Sequence, residues 1–152
     1  MIIGQQIDSF RAPASTGQTL SWDSFAGKVP IVMAFIPTTE GNEQLLSEWS
    51  ERHKDFSDRR IQLLGVAQET ATDLRDVADR LDITFPILAD PAGSMFRSFD
   101  AIGSDGQPSE RVVIVDRNGT VANVLNHEMA ADVMLTAIDT LDDSNFEMAV
   151  NS

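Results

Sequence analysis

The chain contains no cysteine. That absence excludes disulfides, cysteine-bound zinc, iron–sulfur clusters and every mechanism that begins from a thiolate. Lysine is nearly missing as well. Only Lys28 and Lys54 accompany nine arginines, so 11 cationic side chains face 24 carboxylates (16 Asp and 8 Glu) and the formal net charge is −13. A surface of that sign repels a phosphate backbone, because nucleic-acid affinity rests on cationic side chains that release counterions, and nucleic acid is excluded as a partner. Long hydrophobic runs are missing too. The run from Val29 to Pro37 falls far short of the ~20 apolar residues of a membrane helix, and no basic segment precedes an apolar stretch at the start. The expectation is a cytoplasmic protein without a membrane partner.

What is present fits one domain. A chain of 152 residues buries roughly 68–70% of its unfolded surface and sustains a core without covalent staples. A single domain is expected over residues 1–141, followed by a C-terminal tail over 142–152. The acidic, lysine-poor composition has a halophilic texture: concentrated salt screens the self-repulsion, and carboxylates compete well there for water and cations.

Residues 1 to 28 are turn-rich, with an extended piece at Thr19 to Ser21 and one helical turn at Trp22-Asp23-Ser24-Phe25. Ile31 to Ile36 is short and uninterruptedly apolar, the pattern of a central strand buried on both faces, and Pro37 ends it. From Asn42 to Phe56, Leu45, Leu46, Trp49 and Phe56 recur at helical spacing. Ile61 to Ala67 is the next strand, and Thr72 is the expected cap of a helix with Leu74, Val77, Ala78 and Leu81 inward. Phe85 to Leu88 follows as a strand, Asp90-Pro91-Ala92-Gly93 as a turn, and Met95, Phe96 and Phe99 as a short helix. Val112 to Val115 and Thr120 to Leu125 form a hairpin whose Asn118-Gly119 pair supplies positive φ angles. A last helix spans Ala130 to Leu141, with Asn126 or His127 at its cap. This order predicts parallel strands joined by crossovers, then an antiparallel pair and a closing helix: an α/β sandwich around a mixed sheet.

Several strings, in this order, resemble the peroxiredoxin or redoxin group (AhpC/TSA type) of the thioredoxin-like superfamily. They are Ile3-Gly4 with Asp8-Ser9-Phe10, Trp22 to Lys28, Ala34-Phe35-Ile36-Pro37, Leu64-Gly65-Val66, Phe85 to Gly93, and Val113 to Gly119. The resemblance implies a thioredoxin-like three-layer α/β/α sandwich around a central mixed β-sheet. It also implies a catalytic cysteine in the first turn of the helix after Pro37, held as thiolate by the helix N-terminus and an arginine. In the peroxiredoxin register the cysteine position is Gln44 and its hydroxyl companion is Gly41. In the thioredoxin register the two cysteine positions are Glu40 and Glu43. Neither register holds a thiol, and no carboxylate or amide replaces sulfur in attacking an O–O bond. The family's arginine is most nearly matched by Arg111, one residue closer to Asp116 than the pattern implies. In a strand that offset reverses the face.

The loop Pro37, Thr38, Thr39, Glu40, Gly41, Glu43 and Gln44 is therefore a degenerate active-site loop. Glu40 and Glu43 read as helix-start capping, as an anionic remnant of the lost dithiolate, or as acid–base or hard-cation groups. Arg111 is read either as a cleft residue or as a surface arginine at a strand start. His53, close to the apolar stripe of its helix, is expected to be partly buried and hydrogen-bonded. Neither it nor His127 has a second histidine at metal spacing, so no zinc or other metal site is read, nor a cofactor. Met33, Met95 and Met134 fit core positions. Asn118-Gly119-Thr120 matches a glycosylation acceptor but already serves as a turn, and Gly103 to Gly106 is a turn rather than a phosphate loop. No residue is assigned as catalytic. The leading expectation is a cysteine-less redoxin-type protein without peroxidase activity that binds a protein or peptide, an active redoxin, or a second copy of itself as a homodimer. The competing readings are an antioxidant oxidoreductase, which the missing thiol contradicts, and a carboxylate enzyme using Glu40 and Glu43 with a metal.

Overall fold

Six apolar residues in succession, Ile31–Ile36, form strand β3, and all six are buried. The computed structural model describes residues 1–141; the tail expected over 142–152 lies outside the described residues. Around β3 the strands β4 (Gln62–Ala67), β5 (Ile87–Ala89), β6 (Arg111–Val115) and β7 (Val121–Asn126) form one sheet in the order β5-β4-β3-β6-β7. The first three strands are parallel, with Ile31 opposite Gln62 and Ile36 opposite Ala67, whereas β6 runs antiparallel to β3 and to β7. The β3–β4 and β4–β5 connections carry helices, as parallel pairing requires.

Strand alternation then sorts the core into two clusters. Val32, Ala34, Ile36, Val112 and Ile114 pack against Leu46 and Trp49 of α1 (Glu43–Glu51), Phe56 of α2 (His53–Asp58), Leu74 of α3 (Ala71–Leu81) and Met134 and Ile138 of α5 (Ala131–Asp139). On the opposite face Ile31, Met33, Phe35, Val113 and Val115 meet Phe10, Phe99, and Met95 and Phe96 of α4 (Ser94–Ser98). Phe35 packs edge-on to Phe96, ring centres 5.2 Å apart, and stands 5.4 Å from Phe99. The result is the expected three-layer α/β/α sandwich around a mixed sheet.

Several local expectations are corrected. Arg11–Pro13, read as part of a turn, is a strand, β1, paired antiparallel with β2 (Thr19–Ser21). The helix expected from Asn42 to Phe56 is two helices meeting at Arg52, whose φ and ψ of −96° and 5° leave the helical region. Thr70, not Thr72, caps α3: its extended backbone lets Oγ1 accept from Asp73 N at 3.2 Å, while Thr72 lies inside the first turn. The strand expected from Phe85 begins at Ile87.

In the β6–β7 hairpin only Gly119 has a positive φ, 84°; Asn118 does not. Buried Asp116 organises the turn instead, its Oδ1 accepting from Asn118 N at 2.9 Å and Thr120 N at 3.0 Å, and the register shifts between Ile114 and Val115. Gly119 is also required by space, since a Cβ there would lie 2.5 Å from Gln6 Nε2. The cap of α5 is Ala130 rather than Asn126 or His127, and the donor left open by alanine is met from another helix: Ala131 N gives to Glu48 Oε1 at 3.1 Å.

Candidate functional site

The parallel register of β3 and β4 brings the chain after Ile36 beside the chain after Ala67. This is the carboxyl end of the parallel strands, where open α/β sheets hold their ligands. The loop from Pro37 to Asn42 leads into α1 there. Thr39 is 3% exposed, and both its donors go to one carboxylate: its N–H to Glu69 Oε1 at 3.1 Å and its hydroxyl to Glu69 Oε2 at 3.0 Å. Gln68 N gives to the Pro37 carbonyl at 3.2 Å and ties the two loops again. Glu43 folds back so that Oε1 accepts from Gly41 N at 2.9 Å, Glu40 N gives to Thr38 Oγ1 at 3.2 Å, and Asn42 Nδ2 gives to the Thr38 carbonyl at 2.8 Å.

The loop's inner polar groups are thus spent on one another. Thr38, Glu40, Gly41 and Gln44 face solvent, while Pro37 and Glu43 are half-buried. The structure brings Glu40 and Glu43 into one loop, and the bonded partner of the Glu43 carboxylate is a backbone donor. Gly41 stands at φ 84°, a left-handed conformation in which a β-branched hydroxyl residue is strained.

Arg111 is not brought to this loop's side of the sheet. It opposes Phe35 across the β3–β6 ladder and alternates with Val113 and Val115, so it belongs to the face opposite α1. Its Nε is buried and meets no acceptor among the described residues. The position that the resemblance assigns to an arginine is held by Glu110, which is half-buried.

Helix α1 is fixed from behind. Trp49 Nε1 gives to the Met129 carbonyl at 2.7 Å, and Arg52 bridges Asp55 to Asp132 of α5. Arg59 reaches Asp139 through Nε and Nη2 at 2.7 and 2.8 Å. These guanidinium bonds hold the Asp55 and Asp139 carboxyls below the usual carboxylate range. His53 Nδ1 meets Thr84 Oγ1 at 2.9 Å and the ring stands edge-on to Phe85; burial pushes its pKa down.

Glu69 was missed from sequence. Its only local signal is a carboxylate two residues past an apolar strand, and its partner is 30 residues away. Among the described residues no group of three or more His, Asp or Glu is placed to hold a metal ion. The arrangement offers oxygen acceptors and an exposed polar rim. The Glu43 and Glu69 carboxylates are bonded to backbone and hydroxyl donors, and no sulfur stands within it.

Comparison with known proteins places these features. The model of the AhpC/TSA family matches residues 3–124. A Mycobacterium tuberculosis sequence named as a peroxiredoxin is 22% identical over 127 residues, 78% of this chain and 80% of that one. Among solved structures, peroxidoxin BcpB from M. tuberculosis is 20% identical, with a TM-score of 0.81 over 94% of this chain and 99% of that one. A PrxQ from Xylella fastidiosa is 14% identical, with a TM-score of 0.82 over 91% and 96%. A reduced 2-Cys peroxiredoxin from Plasmodium vivax is 20% identical, with a TM-score of 0.79 over 91% and 95%. The fold is theirs.

Proposed function

The chain belongs to the AhpC/TSA family, and we propose that within it the protein is a non-peroxidatic binding module whose contact surface is the loop from Pro37 to Gln44. One observation carries this reading: the loop's buried hydrogen-bonding groups are consumed internally, by Glu69 and Glu43, while Thr38, Glu40, Gly41 and Gln44 turn outward. A reaction centre keeps a reactive group in reserve; a recognition loop presents a shaped, satisfied surface. The missing sulfur supports the same conclusion, since Gln44 and Gly41 stand at the positions implied for the cysteine and its hydroxyl companion. The partner class is protein: a peptide segment, an active redoxin, or a second copy of this chain.

The test uses the protein as bait in its host lysate at molar KCl, beside a Glu40→Lys, Gln44→Lys variant. A stoichiometric partner held by the first and lost by the second is expected. No stoichiometric partner, or one retained equally by both baits, overturns the reading. In parallel, the protein with dithiothreitol is expected to consume no hydrogen peroxide catalytically. Multiple turnovers in chelator-treated buffer would refute the non-peroxidatic half.

A further inference from the structure

A pocket of about 220 Å³ lies between β1 and α4, lined by Ser9, Phe10, Arg11, Ser94, Met95 and Ser98. Phe10 and Met95 are each 6% exposed. Beside these two apolar side chains stand three hydroxyls and one guanidinium. Arg11 is exposed, and its guanidinium makes no hydrogen bond or ion pair among the described residues. Ser94 gives its hydroxyl hydrogen to Asp90 Oδ1 at 3.2 Å and Ser98 gives its own to Asp8 Oδ2 at 3.4 Å. Asp8 and Asp90 take the hydroxyl hydrogens of Ser98 and Ser94 at the pocket wall, and their charge favours a neutral, hydrogen-bonding guest over an anion. The space admits several water-sized molecules, each taking about 30 Å³ in the liquid.

Met95 is the one sulfur-bearing residue of that lining. In a chain without cysteine, thioethers are the sulfur left to meet an oxidant. Met33 and Met134 are sealed in the two cores at 0% exposure. Met129, at 5%, is as exposed as Met95, yet it packs in the cluster under α1 and α5, with its carbonyl held by Trp49. Exposure does not separate Met95 from Met129, but polar surroundings do.

We infer that Met95 is a site of sulfoxidation by small hydroperoxides, which the pocket holds against the sulfur. The sulfur lone pair forms an S–O bond to one peroxide oxygen and the O–O bond breaks. The proton on the transferred oxygen passes to the departing oxygen, which leaves as water from hydrogen peroxide or as an alcohol from an alkyl hydroperoxide. The thioether gives up two electrons and the peroxide takes them. Arg11 donates to the departing oxygen as negative charge grows on it, and the serine hydroxyls relay the proton. The sulfoxide oxygen then faces polar groups, whereas the same oxygen on Met33 or Met134 would be buried without a partner. One equivalent of peroxide is consumed per site and no turnover follows, so this step is separable from catalysed peroxide reduction.

The experiment exposes the folded protein to hydrogen peroxide in chelator-treated buffer and follows each methionine by peptide mass mapping. Met95 should oxidise roughly tenfold faster than Met129, about the worth of one charge-assisted hydrogen bond in the transition state. Arg11→Gln, a change at an exposed side chain, should slow Met95 severalfold and leave Met129 unchanged. Met95→Leu conserves volume and should lose the fast-reacting equivalent, with circular dichroism reporting an intact fold. Equal rates at Met95 and Met129, or a Met95 rate indifferent to Arg11→Gln, would overturn the inference.

Discussion

Two carboxylates receive backbone N–H groups at the ends of adjacent parallel strands, Glu69 after β4 and Asp90 after β5, and their surroundings make them different devices. Asp90 is 4% exposed and accepts from Met95 N at 2.9 Å and Phe96 N at 3.0 Å, with the Ser94 hydroxyl at 3.2 Å. It closes the start of α4 beneath the Phe35, Phe96 and Phe99 rings. Glu69 is half-buried and, among the described residues, accepts from Thr39 alone, in a loop where Thr38, Glu40 and Gln44 face water. The same bond type fixes the core in one place and the shape of a surface in the other. The backbone donors are buried in both places, and the exposure of the acceptor separates the two: Asp90 is shut away from water with its donors, whereas water reaches part of the half-buried Glu69 carboxylate.

The largest expected effect comes from Asp90→Ala, which strands two buried N–H groups and should cost about 3 kcal/mol in urea denaturation. A loss below ~1 kcal/mol would erase the distinction between the two carboxylates. Potassium chloride sharpens it. The wild-type melting temperature should climb toward molar salt, since the Debye length shrinks from ~10 Å at 0.1 M to ~3 Å at 1 M and screens the acidic surface. The deficit of Asp90→Ala should persist in the same series, because a missing acceptor in the core is not screened. A flat melting curve for the wild type would count against self-repulsion as a dominant force.

Glu69→Gln should come next, at roughly 1 kcal/mol or less, since an amide oxygen still accepts one of the two Thr39 donors. Its signature is raised hydrogen exchange at Thr39 with α4 unchanged; protection lost throughout α4 would show that the two loops are one unit. Glu43→Gln should cost less again, ~0.5 kcal/mol, because Gly41 N lies at the exposed surface.

Acid adds a background common to all these variants. Burial lowers the folded pKa of His53, so near pH 6 the unfolded chain binds more protons than the folded one. Stability should therefore fall as pH drops below the unfolded value of about 6.5 and level off once the folded form titrates. His53→Gln should flatten that step, and a step of unchanged size would assign it to another group. Asp55 and Asp139 act lower: their depressed pKa values contribute stability above the carboxylate range that is lost as pH falls through their folded values. The carboxylate variants are best compared above pH 7.

Much of the scaffold was readable from sequence because burial leaves a mark on consecutive residues. Unbroken apolar runs announced β3 and β4, and Leu46, Trp49 and Phe56 at helical spacing announced the helical face. Boundaries were less visible. Thr70 and Thr72 are equally good caps by composition, and only the extended backbone at Thr70 selects it. Asn118-Gly119 promised a tight turn with two positive φ angles, but the buried Asp116 carboxylate built a different one. In the loop after β3 the residue identities were readable and their partners were not.

By itself, then, the sequence determined the missing sulfur, the acidic surface, the alternation that sorts β3 and β6 into two faces, and the order of elements. Each is a property of composition or of neighbouring residues, and needs no knowledge of where distant segments meet. Only the tertiary structure decided that Glu69 takes both donors of Thr39, that Glu48 caps the start of α5, that Arg111 stands on the face opposite α1, and that Arg11 and Met95 line one pocket. The reason is physical: these meetings join segments 30 to 84 residues apart, and are set by strand order, register and helix docking, to which every buried side chain contributes and which no local pattern encodes.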